Sequence, residues 1–441
     1  MSSRDQFGSK IGFILAAAGS AIGLGAIWKF PYMAGTNGGS VFIILFILCT
    51  LLIGLPVLIS EFMIGRRGQK DPINSFKEQA PGKPWFLLGW MGLVTAGLIL
   101  SFYSVVGGWI LSYLYRAVTF QLAGKELDFA ELFNTLIQNP FEVIIAQAVF
   151  MLINVVIVRA GIKGGIERTS KIMMPALFIF FIVLCIRSLS LDGAMEGVRF
   201  MFVPDWQYLN FDTMLVALGQ AFFSLSVGLT CMVTYASYLS RKEQIVSSAF
   251  NVAWMNIAVS ILSGLVIFPA VFALGYSPDQ GPGLVFVMLP AVFEQLPFGS
   301  ILLIIFFILL LFATITSSIS MLEIVVSVGI GQKTAIRKKA TTWFAIAIFI
   351  VGVPSALSYG VLSHIEIFNR SIFDFVDFIT NSIAMPVGAF FISLFAGYHY
   401  DKRIQRAELN VNSTIFYIWR ILIRYVSPIA ILFILIRGII G

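Results

Sequence analysis

Stretches of about twenty mostly apolar residues recur along the whole chain, and no other property constrains its fold as tightly. A hydrocarbon core needs about 20 consecutive apolar residues in helical form to be crossed. Eleven segments meet that length: residues 10–36, 41–65, 85–120, 141–158, 167–187, 212–239, 245–274, 298–331, 341–358, 373–398 and 413–437, which we number spans 1 to 11. A buried multidomain enzyme shows a few such runs, not eleven. With 59% hydrophobic and 12% charged residues, the 441-residue chain is no ordinary soluble domain. Amphipathic stretches near 204–211 and 284–294 are too short or too interrupted to span. The sequence therefore predicts an all-α polytopic membrane protein with eleven transmembrane helices, partnered by a lipid bilayer.

The net charge of +7 sets topology rather than pointing to nucleic acid. Arg4 and Lys10 precede span 1, Arg66, Arg67, Lys70, Lys77 and Lys83 follow span 2, and Arg159, Lys163, Arg168 and Lys171 surround the next turn of the same parity. Arg241 and Lys242, then Lys333, Arg337, Lys338 and Lys339, then Lys402, Arg403 and Arg406 complete the set. The alternate loops hold little beyond Lys125, Arg199 and Arg370, beside acids such as Glu126, Asp128 and Asp205. Cytoplasmic loops concentrate Lys and Arg, so the N-terminus is expected in the cytoplasm and the C-terminus outside. Cys49, Cys185 and Cys231 all fall inside spans, where packing is their ordinary role. Two histidines and no His/Cys cluster argue against a transition-metal site.

Two spans are interrupted. Residues 19–31 read GSAIGLGAIWKFP, crowding Gly19, Gly23 and Gly25 into the middle of span 1. Each glycine in a helix interior costs about 1 kcal/mol relative to alanine, and unwound backbone at membrane depth survives only against protein or a polar cavity. In span 6, Gly228 is flanked by Ser224, Ser226 and Thr230. A close-packing glycine with back-bonded hydroxyls is the plainer reading of that segment alone. Position tips the balance. The breaks fall in the first members of two groups of five, a first repeat over about 10–187 and a second over about 212–398, with an additional helix at 413–437. Five is odd, so the second group enters the membrane inverted. Paired broken helices in inverted halves point to a secondary transporter with a midplane site. Half-helix N-termini suit a carboxylate and half-helix C-termini suit Na⁺.

Taken together, GSAIGLGAIWKFPY, Thr36 to Gly39, GLPVLISEFMIGRR in span 2, QAFFSLSVGL and TYASY in span 6, ATITSS in span 8 and FDFVDF in span 10 resemble the neurotransmitter:sodium symporter family. The likeness covers nearly the whole chain in order and spacing. It is strongest to the bacterial amino-acid branch, leucine-transporter-like and with the eleven-span length of hydrophobic amino-acid and tryptophan transporters. The resemblance implies one transmembrane transporter domain (5+5 inverted repeat, discontinuous helices 1 and 6) and no enzyme. It implies sodium-coupled symport of hydrophobic or aromatic L-amino acids into the cell by alternating access. The alternative is a member with reduced sodium coupling, or with proton or chloride participation. A prokaryotic plasma membrane and a monomer or weak homodimer are expected.

The resemblance also assigns residues. A second sodium site would use the carbonyls of Gly19, Ile22 and Ala313 with the hydroxyls of Thr316 and Ser317. A first would use Ala21, Ser224, Asn256 and the substrate carboxylate, weakened because Ala26 stands where asparagine is expected. One or two coupling Na⁺ follow. The substrate backbone would meet Ala21, Leu24, Gly25, Phe223, Ser226 and Tyr103. Its side chain would lie among Ile99, Tyr103, Phe223, Ser226, Leu229, Ser317, Ser320 and Met321. Nothing charged lines that pocket. Lys29 and Asp377 occupy the outer-gate positions with Gln220 beside them, and Tyr103 and Phe223 form a lid. Arg4 is the inner-gate residue, supported by Tyr238. Gly165 and Pro175 resemble the element by which span 5 unwinds to release Na⁺. Glu61 reads as a hydrogen-bonded acid near the first helix, and Glu323 as an acid lacking a named partner. Gln220, Ser224, Asn256 and Ser260 are the residues a chloride would meet, with Phe46 where chloride-dependent members carry tyrosine.

Overall fold

A computed structural model describes residues 5–122, 127–275, 284–331 and 333–440. Arg4, Lys125 and Glu126 lie outside the described residues. Among those described, nine helices are long and apolar enough to cross a membrane: Ser40–Gly68, Phe86–Val118, Pro140–Arg159, Ile162–Leu189, Ile245–Ala273, Gly299–Ile330, Arg337–Leu357, Ile372–His399 and Ser413–Gly438. A tenth crossing is the bent pair Lys10–Ala21 and Gly25–Thr36. The eleventh expected span differs. Residues 212–239 fold into two short helices, Phe211–Leu225 and Cys231–Ala236, neither of which meets that length alone. The cause is local: five residues between them leave the helical backbone, three with positive φ.

Helix ends follow their residues. Asn139 accepts the amides of Phe141 and Glu142, and Pro140 holds the first helical position of span 4, where a missing N–H costs nothing. Ser9 caps span 1 by accepting from the Gly12 amide. Spans 2, 3, 7 and 8 are mostly buried in protein, whereas 4, 5, 9 and 11 turn most of their surface outward. That outward surface carries Ile145, Leu152, Val156 and Trp343, the apolar side chains a lipid phase requires. Span 3 packs along span 8 and also touches spans 4 and 9, while the first half of span 1 rests on spans 5, 7 and 8. A two-residue hairpin pairing Glu366 with Ser371 precedes span 10. Both broken spans thus lie inside a cage of unbroken ones.

Candidate functional site

Span 1 leaves its helix after Ala21 and resumes at Gly25 with a 54° bend. The Ile22 amide still reaches the Ala18 carbonyl at 2.6 Å, and the amides of Ala26 and Ile27 both reach Gly23. Between them, the Leu24 N–H donates to the Tyr103 hydroxyl at 3.3 Å. The glycines do not supply unusual backbone angles, for none of the three has positive φ. They permit close approach. A Cβ on Gly23 would sit 2.4 Å from Ser317 Oγ and 2.8 Å from the Tyr103 oxygen, and one on Gly25 would sit 2.8 Å from the Phe223 ring.

Span 6 opens differently. Ser226, Gly228 and Thr230 have φ of 52°, 91° and 58°. The Gly228 N–H donates to Glu61 Oε1 at 2.7 Å, and a Cβ at Gly228 would lie 2.2 Å from the Met385 carbonyl oxygen. Glu61 therefore braces span 6, not the first helix. Ser226 Oγ donates to the Ser20 carbonyl at 3.1 Å, joining the two breaks directly.

A small cavity of about 30 Å³ lies between the breaks. Ala21, Leu24, Gly25, Ile99, Tyr103, Phe223, Ser226, Leu229, Ser317 and Met321 line it, together with Gly23 of the glycine break and with Ser20, Phe102 and Met385, which the sequence reading missed. Met385 comes from span 10, where no polar or glycine signal marks it. Ser320 is not among the lining residues. Its hydroxyl donates to the Ser317 carbonyl at 2.6 Å and accepts from Ser20 at 2.7 Å, so it braces the wall from behind. Above lies a vestibule of about 480 Å³ that shares Leu24, Phe102, Tyr103 and Phe223 with the cavity. Those four side chains are the partition between the two spaces.

Oxygens gather where each sodium site is expected. Ser317 Oγ donates to the Gly19 and Ser20 carbonyls, both at 3.1 Å, and Thr316 Oγ1 donates to the Ala313 carbonyl at 3.0 Å. These uncharged hydroxyls and half-helix carbonyls are the donor set a weakly held Na⁺ prefers. The other cluster is Ser224 Oγ donating to Asn256 Oδ1 at 3.1 Å, with the Asn256 amide on the Ser224 carbonyl at 2.9 Å and the Ala21 carbonyl at 3.4 Å. Ala26 contributes no side-chain oxygen, and its carbonyl is taken by Ser263 Oγ at 2.9 Å.

The outer pair departs from expectation. Lys29 and Asp377 both line the vestibule, but no ion pair joins them among the described residues. Lys29 Nζ stands 4.5 Å above the centre of the Phe223 ring, and Asp377 accepts from Asn381. A lysine point charge lacks the planar fork that fixes arginine to a carboxylate. Gln220 donates to the Gly25 carbonyl at 2.7 Å. Elsewhere in the vestibule, burial and the neighbouring Asp374 push the Tyr359 hydroxyl well above its ordinary range, so it stays a donor to Asp374.

On the opposite face, Tyr238 donates to Glu323 Oε1 at 2.6 Å. Glu323 is in turn held by both terminal nitrogens of Arg337, whose Nε donates to the Val158 carbonyl at 3.0 Å. Both charged side chains are buried. The sequence reading counted Arg337 as one of a run of loop cations. Only the lone buried acid fourteen residues earlier signals that this member of the run is different.

Gly165 lies in a π-helical turn, Ile162–Glu167, and Pro175 lies within Arg168–Leu189. A Cβ at Gly165 would touch the Ile157 carbonyl. The neighbouring Glu167 accepts from the Gly8 amide at 2.6 Å, Ser9 Oγ at 3.0 Å and Lys171 Nζ at 2.6 Å. The start of span 5 therefore grips the start of span 1.

Comparisons with known proteins agree along the full length. The family model described as the sodium:neurotransmitter symporter family matches residues 4–136 and 129–441. The sodium-dependent transporter YhdH of Bacillus subtilis is 49% identical over 433 residues, covering 97% of this chain and 96% of that protein. A sodium-dependent transporter of Haemophilus influenzae is 35% identical over 449 residues, 99% of this chain and 98% of its own length. The crystal structure of MhsT in complex with L-phenylalanine superposes with a TM-score of 0.92 at 44% identity, covering 99% of this chain and 100% of that one.

Proposed function

The chain belongs to the sodium:neurotransmitter symporter family, and we propose that this multi-pass sodium-dependent transporter imports large apolar or aromatic L-amino acids across a prokaryotic plasma membrane by alternating access. The observation that carries this reading is the cavity joining the two breaks, with no charged side chain in its lining. The Leu24 and Gly25 amides stand outside the backbone ladder of the resumed helix, and with the Tyr103 hydroxyl they receive the substrate carboxylate. The substrate ammonium lies on carbonyls of Ala21, Phe223 and Ser226. That MhsT was crystallised with L-phenylalanine supports the substrate class.

A cavity of about 30 Å³ holds no aromatic ring, so binding expands it. Met321 and Met385 are the yielding side of the wall, since an unbranched thioether repacks around differently shaped ligands. Discrimination between apolar substrates is consequently shallow, about 1–3 kcal/mol per methylene. Na⁺ binds between Gly19, Ile22, Ala313, Thr316 and Ser317 and ties span 1 to span 8. The second coupling ion binds at Ala21, Ser224 and Asn256 only with the substrate carboxylate present, because Ala26 leaves that set one oxygen short. Glu323, Arg337 and Tyr238 keep the inner side shut. Unwinding of span 5 between Gly165 and Pro175 carries Glu167 off Gly8 and Ser9, which frees the inner half of span 1.

Radiolabelled phenylalanine uptake into proteoliposomes, with and without an inward Na⁺ gradient, tests the reading. Saturable accumulation that needs the gradient and is competed by tryptophan, tyrosine, leucine and methionine is expected. Accumulation driven equally by a proton gradient, or passive non-saturating flux, would overturn it.

A further inference from the structure

Span 11 carries arginines inside the stretch Ser413–Gly438. Arg437 pairs with Asp212. Arg420 and Arg424 pair with no carboxylate among the described residues, and the Nε atom of each is buried without an acceptor. Ionisable side chains within a span are costly and call for a counter-charge.

Tyr417, Arg420 and Arg424 follow one another at spacings of three and four, so they share one helix face. That face meets the last turn of span 10 and the short helix Lys402–Leu409. Arg424 lies 4.5 Å from the centre of the Tyr398 ring, and Tyr398 donates back to the Arg424 carbonyl at 2.8 Å. Lys402 Nζ donates to the Tyr417 hydroxyl at 2.7 Å, and Arg406 donates to Ser413. The charges of Lys402, Arg406 and Arg420 all bear on the Tyr417 hydroxyl. Carboxylates in reach are already engaged: Asp401 caps the Arg403 amide, and Glu408 holds Arg66 and Arg67. Lys402, Arg406, Arg420 and Arg424 thus gather at this face with no salt bridge to any of them among the described residues.

We propose that this face binds the phosphate headgroup of an anionic phospholipid. Tyr398 and Tyr425, both beside Arg424, are each about half exposed, as amphipathic rings at a membrane interface are. Ile429, Leu432, Phe433 and Ile436 form an exposed apolar stripe farther along the same helix, on which acyl chains lie. A soluble anion would meet the cations but leave that stripe bare. Basic pockets between helices on the cytoplasmic side are suited to anionic headgroups. The lipid ties span 11 to the end of span 10, which otherwise meet there through aromatic and backbone contacts.

The test is native mass spectrometry of the full-length protein in detergent with equal amounts of palmitoyl-oleoyl phosphatidylglycerol and phosphatidylcholine. Wild type is expected to retain the anionic lipid roughly tenfold over the zwitterionic one, as two to four cations at the interface allow. The double variant Arg420→Gln, Arg424→Gln should bring the ratio near one, and Arg420→Lys, Arg424→Lys should keep most of the preference. Inorganic phosphate at millimolar concentration should leave the adducts in place. Equal adducts in wild type, an unchanged ratio in the glutamine variant, or displacement by phosphate each overturn the proposal. Should the buried variant not fold, Lys402→Gln, Arg406→Gln on the exposed short helix reads the same ratio. A several-fold fall supports the site and no fall overturns it.

Discussion

Span 1 opens over three residues without one left-handed backbone angle, whereas span 6 takes three within five residues, two of them on Ser226 and Thr230. Non-glycine residues in that region cost about 1–3 kcal/mol each, more so when β-branched. Span 6 therefore stores strain that its surroundings must hold, and Glu61 and the span 10 backbone around Met385 do so. Span 1 is held by side chains instead: Tyr103, Ser317 and Phe223 close on its glycines. The inner ends differ in the same sense. Beyond span 6, Tyr238 is locked to a buried ion pair, while the start of span 1 is held by Glu167 and by single hydrogen bonds from Phe7 to the Tyr238 carbonyl and from Ile162 to Asp5. A rigid break facing a releasable one is the arrangement an alternating transporter needs, because one half-helix can swing while the other keeps the site in register.

This contrast can be broken most severely at Arg337. Arg337→Gln leaves Glu323 buried without its counter-charge, held by the Tyr238 hydroxyl, which should cost about 3–5 kcal/mol and shift the protein toward an inward-open form. Thermal melting and cysteine labelling at the inner face measure both effects. Gly228→Ala should cost about 3 kcal/mol or more and abolish uptake, since its obstacle is the Met385 backbone. Gly25→Ala meets only the Phe223 ring, so Phe223→Leu should restore its melting temperature, and no side-chain truncation should rescue Gly228→Ala. Equal rescue at both would erase the distinction between the breaks. Glu167→Gln should weaken three hydrogen bonds by about 1–2 kcal/mol in sum and raise inner-face labelling several-fold without melting the protein. Ser226→Gly should change stability by less than about 1 kcal/mol, because the strain relieved and the bond to Ser20 lost are of similar size. Its half-saturating substrate concentration should still rise several-fold.

Most of this was legible from residue spacing. Apolar runs located the helices, and the place of Gly228 in the first member of the second group of five located the second break, where its small polar neighbours alone left a packed helix open. In span 1 the glycines marked the break but not their own role in it. Sequence registers only the missing side chain, not whether backbone angle or a neighbour requires it. Ser320 was assigned to the pocket lining but stands behind it, since one helical step of 100° decides that and spacing along an isolated helix does not. Lys29 and Asp377 share the vestibule without touching, a separation set by side-chain reach. Arg337 hid among lysines because burial, not charge, distinguishes it.

The vestibule that ends at Tyr103 and Phe223 also shapes the electric field across the protein. Water and salt reaching down its 480 Å³ carry the potential of that side to the partition, so little voltage is lost above it. The drop falls instead across the dense layer between the partition and the Glu323–Arg337 pair. An ion moving inward from Gly19 and Ser317 would cross most of that layer, and each charge gains about 2.3 kcal/mol per 100 mV. On the proposed sodium site and orientation, the membrane potential would act chiefly on ion release, at the inner half of span 1.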